Sequence, residues 1–308
     1  MCDIWKSNHE RKEISSETLQ EHLKSFQNLR VKEVALSGGE ALLHSNLWKL
    51  CEQLRSIGVR ITLLSTGISL KAHAAEVVRS CHEVIVSLDG DRETHNTIRN
   101  IPGAFEKLEE GVRQLKKLQP NFRVSGRSVI QRLNFRAFHQ TIEAAHALGL
   151  DQISFLPADV SSTAFNRAAG WGEERKMEVA IGISEVDELE RIFEDSFVTY
   201  GQYYKNRFIA ESPDRIGAIA TYYRALYGQS GFPEKKCNAP WVSAVVESNG
   251  DVLPCFFHPR YGNINDGALM SIVNSPVAIA FRKQLNVATD NTCQKCVCSL
   301  YRNPWRLR

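Results

Sequence analysis

Six of the eight cysteines lie near the two ends of the chain: Cys2, then Cys237, Cys255, Cys293, Cys296 and Cys298. Cys237 is followed after 12 residues by Gly250 and after four more by Cys255, and Cys293-x-x-Cys296 comes later with Cys298 close behind. Thiolates are soft ligands, and four of them converging on one point suit Zn2+ or an iron-sulfur cluster. Trp241 to Glu247 and Val252 to Leu253 read as two strands around Ser248-Asn249-Gly250-Asp251, whose Asn-Gly pair favours a tight turn. A hairpin of that kind brings Cys237 and Cys255 together. The Cys-x-x-Cys pair is flanked by Asn291, Gln294 and Lys295, which is not an apolar face, so core packing does not explain it. Spacing leaves zinc and iron-sulfur open. The 37 residues between Cys255 and Cys293 exceed the roughly 15 to 20 of a common zinc ribbon, and Cys298 is one thiol more than a closed tetrahedral site takes.

The other two cysteines read differently. Cys51 shares a helical stripe with Leu47, Leu50, Leu54 and Ile57, the spacing of a buried face, and Cys81 falls between a helix and a strand. Both are expected in the core. A second chemical signal is Gly38-Gly39-Glu40, where two glycines let a ligand approach the backbone and a carboxylate can hold an ammonium group.

Repeated βα units must position these groups. Ser15, Ser16 and Glu17 open a helix with Leu19, Leu23 and Phe26 on one face, and Ser45 is expected to cap another over Leu47 to Ile57. Further helices are expected over Leu70 to Ser80, Phe105 to Leu118 and Arg136 to Leu148. Strands are expected at Val31 to Ser37, Arg60 to Ser65, Glu83 to Asp89, Phe122 to Ile130 and Gln152 to Leu156. Strands each followed by a helix imply a parallel sheet with right-handed crossovers. Ligands then bind beyond the carboxyl ends of the strands, which directs attention to Ser37 to Glu40, Ser65 to Gly67, Ser87 to Gly90, Arg127 and Leu156 to Asp159. Beyond about residue 160 the alternation fades into an irregular loop and two helical stretches, near 186 to 205 and 211 to 227. Tyr200, Tyr203, Tyr204, Tyr222 and Tyr223 there have the spacing of core residues. From Cys237 onward short strands and turns are expected.

Composition sets the outer bounds. The chain has 308 residues, 43% hydrophobic and 24% charged, with a formal net charge of +3 and no block of either sign. That gives no footprint for nucleic acid or an anionic membrane. Apolar runs such as Ile61 to Leu64 fall far short of the ~18 residues a membrane span needs. The first residues lack an apolar signal-peptide core, so a cytoplasmic location is expected, with a small molecule or a peptide as partner.

Together these residues resemble the radical S-adenosylmethionine superfamily, and the C-terminal region resembles its SPASM or "twitch" auxiliary-cluster domain. Cys2-Asp3-Ile4-Trp5 is similar to the end of the family's C-x3-C-x2-C segment, and Gly38-Gly39-Glu40 to its Gly-Gly-Glu-Pro, with Ala41 in place of proline. Ser87-Leu88-Asp89-Gly90, His95 and Arg99 are similar to the segment after the fourth barrel strand. Cys237, Gly250 and Cys255 fit C-x(9 to 15)-G-x4-C.

The resemblance implies a partial (β/α)6 TIM-like barrel lacking most of its first strand over 1–210, a linker helix and loop over 211–236, and a small cysteine-rich auxiliary-cluster domain over 237–308. It implies a [4Fe-4S] cluster with Cys2 as the last of its three ligands, the first two preceding this sequence, and S-adenosylmethionine on the open iron. Gly38, Gly39 and Glu40 would hold the methionine amino group, Ser87 and Arg99 its carboxylate, Thr66 the ribose and the Leu156 backbone the adenine. One auxiliary [4Fe-4S] cluster is implied on cysteines drawn from Cys237, Cys255, Cys293, Cys296 and Cys298. An external one-electron reductant would start a 5'-deoxyadenosyl radical reaction on a small-molecule or peptide substrate. The alternative is a catalytically inactive barrel with a structural metal module, acting as a binding protein.

Overall fold

The computed structural model describes residues 12–165, 167 and 170–303. The chain alternates helix and strand: α1 (Ser16–Asn28), β1 (Glu33–Leu36), α2 (Leu47–Ser56), β2 (Arg60–Ser65), α3 (Ala74–Ser80), β3 (Glu83–Ser87), α4 (Arg92–Arg99), α5 (Ala104–Leu118), β4 (Arg123–Ile130), α6 (Phe138–Ala147) and β5 (Gln152–Pro157). All five strands are parallel and lie in sequence order β1-β2-β3-β4-β5. Beyond β5 the sheet gains one more parallel bridge, Ile153 to Ile209. The curved sheet is an open, partial barrel.

Its two faces have different chemistry because side chains alternate along a strand. Ile61, Leu63, Val84, Val86, Val124, Ile130 and Ile153 are fully buried under the helices. The concave face carries Thr62, Glu83, Ser87, Ser125, Arg127, Ser154 and Leu156, and its polar groups pair with one another. Thr62 Oγ1 donates to Glu33 Oε1 at 2.7 Å, and Ser125 Oγ to Glu83 Oε1 at 2.6 Å.

After β5 come α7 (Glu173–Val179), α8 (Val186–Thr199), α9 (Gly201–Lys205) and α10 (Pro213–Leu226). The last of these falls in the segment expected as a linker, yet it is built into the main core. Tyr222 and Tyr223 are buried; Tyr223 Oη donates to the Ile130 carbonyl at 2.5 Å and accepts from Ala158 N at 3.0 Å.

The C-terminal part holds α11 (Ala239–Val242), a three-stranded antiparallel sheet of β6 (Val245–Val246), β7 (Asp251–Leu253) and β8 (Gly262–Asn263), then α12 (Leu269–Val273), α13 (Pro276–Gln284) and α14 (Asn291–Lys295). The expected hairpin is present, with Val245 opposite Leu253 and a left-handed Gly250 at φ +89° in its turn. Its first arm is shorter than expected, because Pro240 in the first turn starts a helix instead.

Other differences also come from caps. Asn46, not Ser45, is the N-cap of α2; the Ser45 hydroxyl donates to Glu13 Oε2 at 2.5 Å. Residues 70–73 form turns ahead of α3. Among the helices the periodicity missed, α4 is capped by Asp91, α13 by Ser275 with Pro276 at its first turn, and α14 by Asp290. They are too short to show a stripe.

A small second core of Val252, Tyr261, Ile264, Leu269, Ile272 and Ala278 packs against Ile14, Phe26 and Leu29. His22 Nδ1 accepts from Leu269 N at 3.3 Å, and Asn238 N donates to Leu300 O at 2.8 Å, so the C-terminal segment is fastened both to α1 and to itself. Cys51 and Cys81 are buried in the main core, as expected. They pair with each other, and that hydrogen bond with burial pushes the Cys81 thiol well up.

Candidate active site and metal centre

The carboxyl ends of the strands carry the first set of candidate residues. Gly38 and Gly39 are exposed in the loop after β1, and Gly38 takes φ +148° with open space on its side-chain side. Glu40 caps a single 3-10 turn, Ala41–Leu43, and its Oε1 accepts from Leu42 N at 3.3 Å. Its Oε2 accepts from Thr66 N at 2.8 Å, Thr66 Oγ1 at 2.5 Å and Ser65 Oγ at 3.1 Å. The carboxylate therefore ties the end of β1 to the end of β2. Glu40 and Thr66 are thus bound to each other, while the Gly38 and Gly39 backbone stays exposed.

Ser87 ends β3, in register with Arg127 on β4. Both lie on the concave face, as does Leu156, which is in register with Val129. Arg99 sits at the last turn of α4, with Nη2 2.6 Å from Oδ2 of the fully buried Asp89. The Arg99 side chain keeps 19% exposure, so the guanidinium retains donors for an anion beyond its buried partner. His95 is fully buried against the same loop, its Nδ1 accepting from Asp89 N at 3.2 Å, which places the ring proton on Nε2. Burial lowers its pKa to about 4, with the Asp89 charge acting in the opposite direction. His95 Nε2, Arg99 Nε and Asp89 Oδ1 are buried without hydrogen-bond partners among the described residues. Asn134 Nδ2 fixes the loop from the other side by donating to the Asp89 carbonyl at 2.9 Å.

The second set is the cysteine group. Cys2 lies outside the described residues. The other five are free thiols close enough to influence one another: Cys255 is affected by Cys237 and Cys298, and Cys296 by Cys298, Cys255 and Cys237. Burial first, then these neighbouring sulfurs, push the Cys255 thiol up and the Cys296 thiol up to about 12. Backbone N–H groups of Phe257 and His258 donate to Cys255, and Cys298 N donates to Cys296 Sγ at 3.3 Å. A cluster of largely half-buried thiols, mutually repelling once ionised and already supplied with N–H donors, fits a cationic metal group that holds them as thiolates.

Cys293 stands at the edge of this group. Its Sγ is 3.4 Å from His258 Nε2, and its backbone N donates to Asp290 Oδ1 at 2.8 Å. His258 and Asp290 were not among the residues expected from sequence. The spacing Cys255-x-x-His258 was the available signal. Lys235, two residues before Cys237, is half-buried and had no signal at all.

The two sets share one space. Cys298 retains solvent contact, yet the walls around it push its thiol up while Arg127 pulls it down; Cys237 and Asp159 also push it up. Arg127, whose charge acts on Cys298, has its Nε 3.4 Å from Ser154 Oγ on the concave face. Phe165, in the loop after β5, packs on Phe256 and Phe257 at centroid distances of 5.3 and 5.8 Å. Buried Arg167 holds that loop by ion pairing with Asp159 and donating to the Ala164 carbonyl at 2.8 Å. A separate cleft of about 700 Å3 beside the β4–α6 loop, lined by Thr97, Gln131, Arg136 and Arg175, contains none of the expected residues.

Comparison with known proteins agrees with this layout. Residues 1–145 match the family model of the radical SAM superfamily, and residues 237–297 match the SPASM iron-sulfur cluster-binding domain. An AdoMet-dependent heme synthase of Methanosarcina barkeri is 31% identical over 117 residues, 37% of this chain and 33% of that protein. The antilisterial bacteriocin subtilosin biosynthesis protein AlbA of Bacillus subtilis is 23% identical over 270 residues, 85% of this chain and 53% of that protein. The chain thus spans between about a quarter and about half of the length of the curated relatives it matches. Among solved structures, native anSMEcpe with bound AdoMet has a TM-score of 0.63 at 19% identity, covering 92% of this chain and 77% of that one. Streptococcus suis SuiB bound to precursor peptide SuiA has a TM-score of 0.62 at 12% identity, covering 93% and 65%. These two likenesses show the fold. The matched domains imply a [4Fe-4S] cluster with S-adenosylmethionine and an auxiliary iron-sulfur cluster. The chain belongs to the radical SAM superfamily and carries its SPASM domain.

Proposed function

We propose that the protein is a radical S-adenosylmethionine enzyme that modifies a peptide or small molecule bound between the barrel mouth and the C-terminal thiols. The observation that carries this reading is the meeting of the two residue sets: Cys298 neighbours Arg127, which lies beside Ser87 and Ser154 on the concave face. When bound, the cofactor pair supplies one-electron cleavage of the sulfonium to a 5'-deoxyadenosyl radical that abstracts hydrogen from substrate.

The residues present have matching chemistry for the nucleotide. The Gly38 and Gly39 carbonyls accept from the methionine ammonium, while Arg99 and Ser87 donate to its carboxylate. The Glu40 to Thr66 hydrogen bonds hold the β1 and β2 ends at a fixed separation, and the Leu156 backbone borders the adenine. Buried Asp89 positions Arg99 by its ion pair, so the guanidinium is oriented before ligand arrives. Cys2 serves as the last ligand of the barrel cluster. Cysteines drawn from Cys237, Cys255, Cys293, Cys296 and Cys298 would hold the auxiliary cluster, which would supply an acceptor for the electron that substrate gives up. An external one-electron reductant would supply the electron for the barrel cluster that Cys2 would help to hold.

A peptide is the favoured substrate class. The relative that aligns over 85% of this chain is a bacteriocin biosynthesis protein, whereas the heme synthase of Methanosarcina barkeri aligns over 37% of it. Anaerobic reconstitution of the full gene product, followed by iron and sulfide counting and chromatography for 5'-deoxyadenosine under dithionite, tests the reading. Two clusters and release of 5'-deoxyadenosine are expected. Zinc in the C-terminal thiols, or no nucleoside product, would overturn it.

A further inference from the structure

His258 is buried, 7% exposed, in the segment just after Cys255. Its Nε2 lies 3.4 Å from Cys293 Sγ and 3.7 Å from Asp290 Oδ1. The ring meets Phe281 edge-on, centroids 5.0 Å apart at 65°, so packing supports the orientation in which it faces the sulfur. Asp290 Oδ1 already accepts from Cys293 N as the N-cap of α14, which locks the Cys293 backbone against the same ring.

A metal-bound cysteine is a thiolate and can only accept; an ionised carboxylate can only accept. With both facing Nε2, that nitrogen has to carry the proton. We propose that His258 donates an N–H to the Cys293 thiolate and thereby raises the potential at which the auxiliary cluster takes up an electron, a positioning role exercised through Cys293. The inference rests on the proposed cluster reading. Its physical basis is that a donor aimed at a ligand sulfur disperses negative charge and favours the more electron-rich, reduced state. The same segment treats Cys255 alike, since the Phe257 and His258 backbone N–H groups point at that sulfur.

The competing use of these atoms is direct ligation. His258, Asp290 and Cys293 offer ligand atoms within 4.8 Å of one another, a spacing that could also grip a single ion. Cys293 belongs to the Cys-x-x-Cys296 knuckle that the cluster requires, and a nitrogen at 3.4 Å from its sulfur is at hydrogen-bonding distance. The donor role uses both facts without moving an atom.

The test is an EPR-monitored redox titration of the reconstituted full-length protein, following the cluster signal that S-adenosylmethionine does not perturb. His258→Phe keeps the ring packing and removes the donor; His258→Gln keeps an N–H. The expected result is a more negative potential in His258→Phe, a potential near that of the unmodified protein in His258→Gln, and equal iron and sulfide per chain in all three. An unshifted potential in His258→Phe at full iron content overturns the inference. Loss of auxiliary iron from His258→Phe overturns it too, by making His258 a ligand. Should that variant not fold, hyperfine spectroscopy on protein carrying 15N-histidine decides. A weak coupling supports the donor, and either no coupling or the strong coupling of a direct ligand refutes it. Absence of any auxiliary signal in the unmodified protein is a distinct result, which removes the cluster reading itself and this inference with it.

Discussion

Glu40 Oε2 accepts two hydrogen bonds from Thr66, one from its backbone N at 2.8 Å and one from its hydroxyl at 2.5 Å. The loop with the twin glycines and the end of the neighbouring strand are thereby one rigid unit. Glu40→Ala removes these acceptors together with that for Ser65. Hydrogen bonds to a charged group contribute roughly 1.5–3 kcal/mol each, and such contributions do not sum in full. We expect a loss of about 2–3 kcal/mol in chemical unfolding and weakening of S-adenosylmethionine binding by about tenfold or more, the latter equivalent to at least ~1.4 kcal/mol. Equilibrium dialysis with the nucleotide reads the second effect. Unaltered affinity would show that the loop geometry does not depend on this contact.

His95 gives a pH dependence whose sign is fixed by its burial. Its pKa in the fold is about 4 against an ordinary 6.5, because the charged ring is poorly solvated. Between those pH values the unfolded chain binds a proton that the fold does not, so stability declines as pH falls from 6.5 toward 4. The slope contributed is up to roughly 1.4 kcal/mol per pH unit, and above about pH 7 the contribution is flat. Urea unfolding at a series of pH values checks this. His95→Gln should flatten the acid limb; identical limbs in the two proteins would mean that other groups carry it.

Removal of single thiols separates the two kinds of cysteine. Cys255→Ser and Cys296→Ser should each abolish auxiliary iron binding, whereas Cys51→Ala should leave iron content untouched while lowering stability by about 1–2 kcal/mol through lost packing. Iron per chain after anaerobic reconstitution is the measurement. Full iron in Cys255→Ser would exclude that sulfur from the centre.

Tyr223 sits between Ile130 and Ala158, two strand-end segments of the barrel. Tyr223→Phe preserves the packing and removes the hydroxyl from both contacts, while Ala158 N still donates to Ile130 O at 3.1 Å, so a loss of about 0.5–1.5 kcal/mol is expected. The same variant should leave auxiliary iron content unchanged, which distinguishes a structural role for α10 from one at the site. Thermal unfolding and iron counting together decide it.

Much of the barrel was legible because parallel βα units write themselves strongly in sequence. Strand β2 falls on Arg60–Ser65 as expected, and α2 on Leu47–Ser56 within the expected stripe. Short helices such as α4 and α14 were missed because a helix of one or two turns shows no stripe, and its cap is the only mark it leaves. Spacing alone singled out the C-terminal thiols, whereas the twin glycines and Arg99 gained weight only through the family resemblance, since a plain turn or an ion pair uses the same residues.

What sequence could not decide was which charges are already spent inside the fold. Glu40 binds Thr66, Arg99 pairs with Asp89, and His258 faces Cys293 from 35 positions away. Each of these partnerships is set by how strand ends and loops pack in three dimensions, and none follows a period along the chain. Residue type and spacing determined the chemistry available to this protein; tertiary packing decided which of those groups remain free for a ligand and which are held to orient their neighbours, because hydrogen bonds and ion pairs act over a few ångströms of space and not along the chain.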